Sequence, residues 1–278
     1  MSPLIEIEEL RSAKGPIILI DARAGADARQ RYDTGHLEGA QFADLDKDLS
    51  LVPQNAANGG RHPLPPIEDF AKKLGDWGIM PDTHVVTYDD KAGAFGGARL
   101  WWMLRAIGHN KVQVLNGGLK GAVDAGVPLS TEPYTVTAVA PYPVPAGFAG
   151  TVDIEGTGKA AKDSHKMVID VRETPRYLGQ MEPIDLIAGH IPGAENLPYT
   201  LNLDEKGKYK SPEELKAVYE KLLGDVKPEE VIVHCGSGVT ACHTLLGMDY
   251  AGIKGSKMYV GSWSEWSRRD LPIATDQK

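Results

Sequence analysis

The sequence repeats itself, and that duplication constrains the fold more than any other feature. PIILIDAR, closing at Arg23, has a counterpart in KMVIDVR, closing at Arg172, each a short apolar run ended by Asp-x-Arg. Such runs read as buried parallel strands followed by a turn. GHLEGAQFADL from Gly35 and GHIPGAENLP from Gly189 follow in the same order. A helix comes next in each half. In the second, Ser211 is the expected N-cap, Pro212 opens the helix, Glu214 completes a capping box and Gly224 stops it. Leu215, Val218, Tyr219 and Leu222 share its apolar face, and PPIEDFAKKLGDWG, with Ile67, Phe70 and Leu74, is the counterpart in the first half. A further strand, HVVTYDD from His84 or VIVHCGS from Val231, leads into GARLWWMLRAIG or TACHTLLGMDYAG. The last pair, KVQVLNGGLKG and KMYVGSWSEW, repeats strand, glycine turn and helix start.

Strands alternating with helices of about 10–15 residues need right-handed crossovers, which give a mainly parallel sheet with helices on both faces. The expected fold class is α/β. A length of 278 residues, at roughly 100–200 per domain, makes two domains. PLSTEPYTVTAVAPYPVPAGFAG has no helical period and reads as an extended connector along the surface. The expected division is 1–140, a linker at 141–150, and 151–278.

Composition excludes several functions. Gly and Pro are near ordinary usage and no run of roughly 18 apolar residues occurs, so disorder, collagen and membrane spanning drop out. MSPLIEIEELRSAKG has no basic flank before an apolar core, so a cytoplasmic location is expected. A net charge of -8 without a basic, aromatic-laced cluster gives nucleic acid little support as a partner. Two cysteines, Cys235 and Cys242, do not make a disulfide scaffold, and HCGSGVTACH lacks zinc-ligand spacing. No metal or organic cofactor is expected.

The chemistry concentrates in HCGSGVTACH. Aligning the repeats sets Tyr88-Asp89 against His234-Cys235, so only the C-terminal copy carries a nucleophile and Asp89 stands at the cysteine position of the other. Cys235 follows a buried strand and precedes a helix, with Gly236 and Gly238 leaving the backbone free to curl. Successive N–H groups can then turn inward, the helix adds its positive end, and both favour thiolate over thiol. Cysteine phosphatases also begin with His-Cys and a glycine loop, but they need a closing arginine to clamp phosphate, and Val239, Thr240 and Ala241 stand at those positions.

The doubled units, the two GH-x-x-GA signatures, the connector and CGSGVTA together resemble a two-domain rhodanese-type sulfurtransferase, over essentially the whole chain. The loop is similar to that of the 3-mercaptopyruvate branch. The resemblance implies two tandem rhodanese-like domains with one active site between them. It also implies a ping-pong reaction, in which Cys235 takes a sulfur from a small anionic donor, becomes a persulfide and hands the sulfur on. The acceptor would be cyanide or a thiol, such as thioredoxin or a low-molecular-weight thiol.

By the same resemblance Ser237, His62 in RHPLP and Asp46 in FADLD form a proton-moving set, and Arg176 in PRYLG holds the donor carboxylate. Gly236, Gly238, Val239 and Thr240 bind the donor through the loop. A second family arginine is expected near Ile184 and is absent, which leaves the choice between 3-mercaptopyruvate and thiosulfate open. His36 and His190 in the GH turns read as structural, Trp101, Trp102, Trp263 and Trp266 as core or interface anchors, and Cys242 as buried. The alternative to an enzyme is a non-catalytic sulfur carrier or regulatory module, which would not need an intact CGSGVT loop.

Overall fold

Both copies of the repeat build a five-stranded, all-parallel sheet, and the two strand orders match. In the first the order is Leu4–Ile5, Val112–Leu115, His84–Tyr88, Ile17–Asp21, Ala40–Phe42; in the second it is Thr151–Val152, Lys257–Tyr259, Val231–His234, Met167–Asp170, Glu195–Asn196. The computed structural model describes residues 1–134 and 136–275, so Thr135 of the connector lies outside the described residues. A short antiparallel pair, His36–Leu37 with Leu129–Ser130, is added in the first copy, and a single antiparallel bridge, His190 with Ala274, in the second.

The chain divides into two units. One comprises Met1–Leu51, Leu64–Ala149 and Glu205–Tyr209; the other comprises Val52–Pro63, Gly150–Asp204 and the chain from Lys210 onward. The segment 52–63 therefore packs with the unit that holds Cys235. Among the described residues no helix is long and apolar enough to cross a membrane.

Local chemistry accounts for the elements. Helix Pro212–Leu223 carries the capping box, Ser211 Oγ accepting from the Glu214 N–H while the Glu214 carboxylate accepts from Ser211, and its buried face is Leu215, Tyr219 and Leu223. Helix Thr240–Tyr250 is buried from Ala241 to Met248, which is why it lacks a polar stripe. Each Asp-x-Arg is a buried fork. Arg23 grips Asp21 and donates to the Gly35 carbonyl at 2.5 Å, and Arg172 grips Asp170 and donates to the Gly189 carbonyl at 2.6 Å. The strand end is thereby tied to the GH turn. The turn histidines are structural: His36 stacks on Tyr32 and donates to its carbonyl, and His190 does the same with Tyr177, both at 2.8 Å.

Candidate active site

Strand Val231–His234 leads directly into Cys235, and five residues later helix Thr240–Tyr250 begins, with Val239 as its N-cap. This is the carboxyl edge of a parallel sheet, where open α/β folds place their ligands. Gly238 sits at φ +74, a conformation that lets the loop curl from strand to helix within so few residues. The Cys235 residue is 2% exposed.

The first turn of helix Ser262–Trp266 fixes the loop. The Cys235 carbonyl accepts from the Trp263 N–H at 3.0 Å, and the Gly236 carbonyl accepts from the Ser264 N–H at 2.8 Å. Ser262 Oγ accepts from the Cys235 N–H at 3.2 Å and donates to the Tyr259 carbonyl at 2.9 Å. Ser262 holds φ +52, which is costly for a residue with a side chain and is sustained here by those two bonds. Its counterpart is Gly118 at φ +57, whose neighbour Leu119 donates to the Asp89 carbonyl in the same way. Sequence reasoning missed Ser262; the signal was VGSW set against NGGL.

Asp89 shows what such a loop can hold. Its carboxylate accepts from the N–H groups of Lys91 and Gly93 through one oxygen and of Phe95 and Gly97 through the other, at 2.8–3.0 Å. The first copy's anion cradle is thus filled by its own side chain. Burial pushes the Asp89 carboxyl up, against the pull of those four donors.

His62 reaches the loop from the segment 52–63, and its Nδ1 lies 2.7 Å from Ser237 Oγ. The arm is pinned just before it. The Arg61 N–H donates to Ser264 Oγ at 3.0 Å and the Gly59 N–H to the Glu265 carboxylate at 3.3 Å. Gly60, at φ +88, passes so close that a β-carbon there would meet the Gly261 carbonyl oxygen at 2.4 Å. GGRH is the readable signal of this docking, since only glycine fits.

Above Gly236 lies a charged cluster. A β-carbon on Gly236 would be 3.1 Å from Arg61 Nη2, 3.5 Å from Asp185 Oδ2 and 3.6 Å from Arg176 Nη2. Asp185, its side chain fully buried, accepts from Arg61 at 3.0 and 3.4 Å, from Arg176 at 3.3 Å and from Arg268 at 3.3 Å. Glu182 accepts from Arg176 at 2.7–3.2 Å. Burial opposes the Arg176 charge, yet the Glu182 hydrogen bonds and the Glu182 and Asp185 carboxylates hold it above its ordinary range. Burial likewise opposes the Glu182 charge, and Arg176 and two backbone N–H groups hold its carboxyl below the usual value.

The second unit therefore brings together Cys235, Gly236, Ser237, Gly238, Val239, Thr240, His62 and Arg176. Asp46 belongs to the first unit, on an exposed turn where its N–H donates to Asp44. Ile184 is half-exposed, and it is the next residue, Asp185, that reaches the loop. Trp101, Trp102, Trp263 and Trp266 are buried, as is Cys242, whose thiol donates to the Gly238 carbonyl at 3.3 Å. Arg61, Asp185 and Arg268 were not singled out from the sequence, because charges scattered over more than 200 positions give no local pattern.

The rhodanese-like domain family matches the chain twice, at residues 6–125 and 157–269. A Pseudomonas aeruginosa protein named as a probable 3-mercaptopyruvate sulfurtransferase is 38% identical over 95% of this chain and 94% of its own. A thiosulfate sulfurtransferase of Rattus norvegicus is 36% identical over 95% of this chain and 90% of its own. Among solved structures, the 3-mercaptopyruvate sulfurtransferase of Leishmania major superposes with a TM-score of 0.82 at 30% identity, covering 96% of this chain and 75% of that one.

Proposed function

The chain belongs to the rhodanese-like family as a tandem-domain sulfurtransferase, and from that premise we propose that it carries sulfur as a persulfide on Cys235, with 3-mercaptopyruvate as the preferred donor. The observation that carries the donor assignment is the Ser237–His62 hydrogen bond at 2.7 Å, two residues from the cysteine.

The chemistry of the two donors differs in one proton. When the Cys235 thiolate attacks the sulfur of 3-mercaptopyruvate, the S–S bond forms and the C–S bond breaks, leaving the enolate of pyruvate. The donor's thiol proton must end on that carbon. Thiosulfate needs no such transfer, because its leaving group is sulfite. A hydroxyl hydrogen-bonded to an imidazole is a proton path of the kind the first donor needs. His62 Nδ1 would accept from Ser237 in the tautomer that carries its proton on Nε2, and Asp46 is proposed as the carboxylate that completes the set.

Gly236, Gly238, Val239 and Thr240 bind the donor sulfur and its persulfide product through the loop backbone, a role supported by the four N–H groups that the corresponding loop gives to Asp89. Arg176, which reaches to within 3.6 Å of the place a Gly236 β-carbon would take, is the guanidinium proposed to hold the donor carboxylate. In the second half-reaction an acceptor thiolate or cyanide attacks the outer sulfur and releases Cys235 as thiolate. Thioredoxin-like and low-molecular-weight thiols are the proposed biological acceptors. Both cysteines are free thiols, which fits a reducing cytoplasmic setting.

Steady-state kinetics with each donor and cyanide tests this reading. It expects kcat/KM for 3-mercaptopyruvate to exceed that for thiosulfate, and Cys235→Ser to abolish both. Equal use of the donors would remove the donor assignment.

A further inference from the structure

We propose that the segment 181–187 is the docking face for a protein acceptor, one that presents a cysteine thiolate at the tip of an apolar surface. The inference rests on the persulfide reading and names the partner that takes the sulfur. Met181, Ile184, Leu186 and Ile187 are 52, 53, 63 and 45% exposed. Among the described residues no other seven-residue stretch leaves so many large apolar side chains in solvent. Single exposed apolar residues are ordinary, but a contiguous group of them beside a reactive centre marks an interaction surface.

The strip is held in place from within. Its two acids turn inward: Glu182 accepts from Arg172 at 3.2 Å, from Arg176 at 2.7 Å and from the N–H groups of Ile184 and Asp185 at 3.1 and 3.0 Å. Asp185 accepts from Arg61, Arg176 and Arg268. The Ile187 carbonyl accepts from Trp263 Nε1 at 2.8 Å, and the backbone N–H of the same tryptophan holds the Cys235 carbonyl. With the polar groups of residues 182, 185 and 187 drawn in, the apolar side chains are left outside on a fixed backbone, so a partner meets a surface that is already ordered.

The chemistry of the reaction selects the occupant. 3-Mercaptopyruvate, thiosulfate and cyanide are small and polar, and an apolar strip has no contact to offer them. Cys235 is 2% exposed, so a thiol carried on a protein reaches its persulfide only by projecting from a face that seats around the loop. Charge agrees: in a chain of net charge -8, the strip is bordered through Asp185 by Arg61 and Arg268, whose side chains are 27 and 23% exposed, and a positive border attracts an incoming thiolate. That thiolate attacks the outer sulfur; the new S–S bond forms on the acceptor as the bond to Cys235 breaks, and Cys235 leaves as thiolate. In a dithiol acceptor the second thiol then displaces the sulfur as hydrosulfide, and the pair is left as a disulfide.

The test loads the full-length protein at Cys235 with 3-mercaptopyruvate, removes the donor, and follows single-turnover discharge to reduced thioredoxin or to cyanide by mass spectrometry. Leu186→Ser is expected to slow discharge to thioredoxin about tenfold and to leave discharge to cyanide within about twofold, the result of truncating one anchor of an interface. Met181→Ser, a second point on the same strip, is expected to slow thioredoxin about threefold. Leu186→Asp, which sets a like charge before the thiolate, is expected to be slower than Leu186→Lys by about threefold or more. Equal slowing with both acceptors, unchanged rates in both serine variants, or a parent persulfide that cyanide discharges and thioredoxin does not, overturns the assignment. So does a parent protein that sediments as a dimer and becomes a monomer on Leu186→Ser, because the strip then seats a second copy of the chain. If no persulfide forms on the parent protein, the sulfur-transfer reading fails and this inference with it; a failure of the docking face alone leaves the persulfide in place.

Discussion

Ser237 Oγ and His62 Nδ1 share a 2.7 Å hydrogen bond across 175 positions of sequence. They meet because residues 52–63 pack with the unit that holds the cysteine loop. If the pair moves the proton that 3-mercaptopyruvate must relocate, Ser237→Ala and His62→Ala should each lower kcat/KM for that donor by about 10²–10⁴. Thiosulfate, which releases sulfite, should lose far less. The double variant should be little worse than either single one, since the two act as a unit. Equal losses on both donors, measured side by side, would contradict the proton role.

Gly60 is the hinge on which this geometry depends. A β-carbon there would collide with the Gly261 carbonyl at 2.4 Å and with Ser264 Oγ at 2.9 Å, at a φ of +88. Gly60→Ala should therefore push the Arg61–His62 arm away from the loop, costing on the order of a hundredfold in transfer. Stability should fall by only about 1–3 kcal/mol, because the sheet core is untouched. Kinetics paired with urea denaturation checks both parts.

Asp89 supplies a stability prediction for the other copy. Asp89→Ala strips four N–H groups, two of them in buried hydrogen bonds, of their acceptor and should cost about 3 kcal/mol. Sulfate can enter the emptied cradle, so its stabilising effect in urea denaturation should be larger for the variant than for the parent protein. Identical sulfate effects in the two proteins would argue that the loop collapses when the carboxylate goes.

His234 links pH to stability. Burial holds it below its ordinary 6.5, although Asp170 pulls the other way. As pH falls through about 6.5 the unfolded chain takes up a proton that the folded one excludes, so the contribution is complete above that pH and is lost below it. His234→Asn should flatten the decline in unfolding free energy between about pH 6.5 and 5 relative to the parent protein. Asp21 and Asp89, which burial pushes up, and His109, which it pushes down, contribute alike to both proteins and cancel in the comparison.

The strands, the helices and the glycine loop around Cys235 were legible in the sequence because they are local signals, repeated. PIILIDAR and KMVIDVR declare buried strands through runs of apolar residues, and SPEELKAVYEKLLG declares its caps. Cys235 could be read because Asp89 replaces it in the other copy. Arg61 and Asp185 could not, since they are 124 positions apart and nothing local in either segment points to the other. Ile184 was the residue noticed in MEPIDL, yet the buried carboxylate beside it is the group that meets the arginines. Ser262 was hidden for another reason: its positive φ and its bond to the Cys235 N–H are backbone facts that residue type alone does not disclose.

The central claim is that sulfur rides on Cys235. Mass spectrometry of the protein after incubation with 3-mercaptopyruvate and no acceptor measures it most directly. The account predicts a mass gain of one sulfur atom, localised to the peptide carrying Cys235, absent from Cys242, and removed when cyanide is added. No gain, a gain on Cys242, or a Cys235→Ser variant that still transfers sulfur would contradict it.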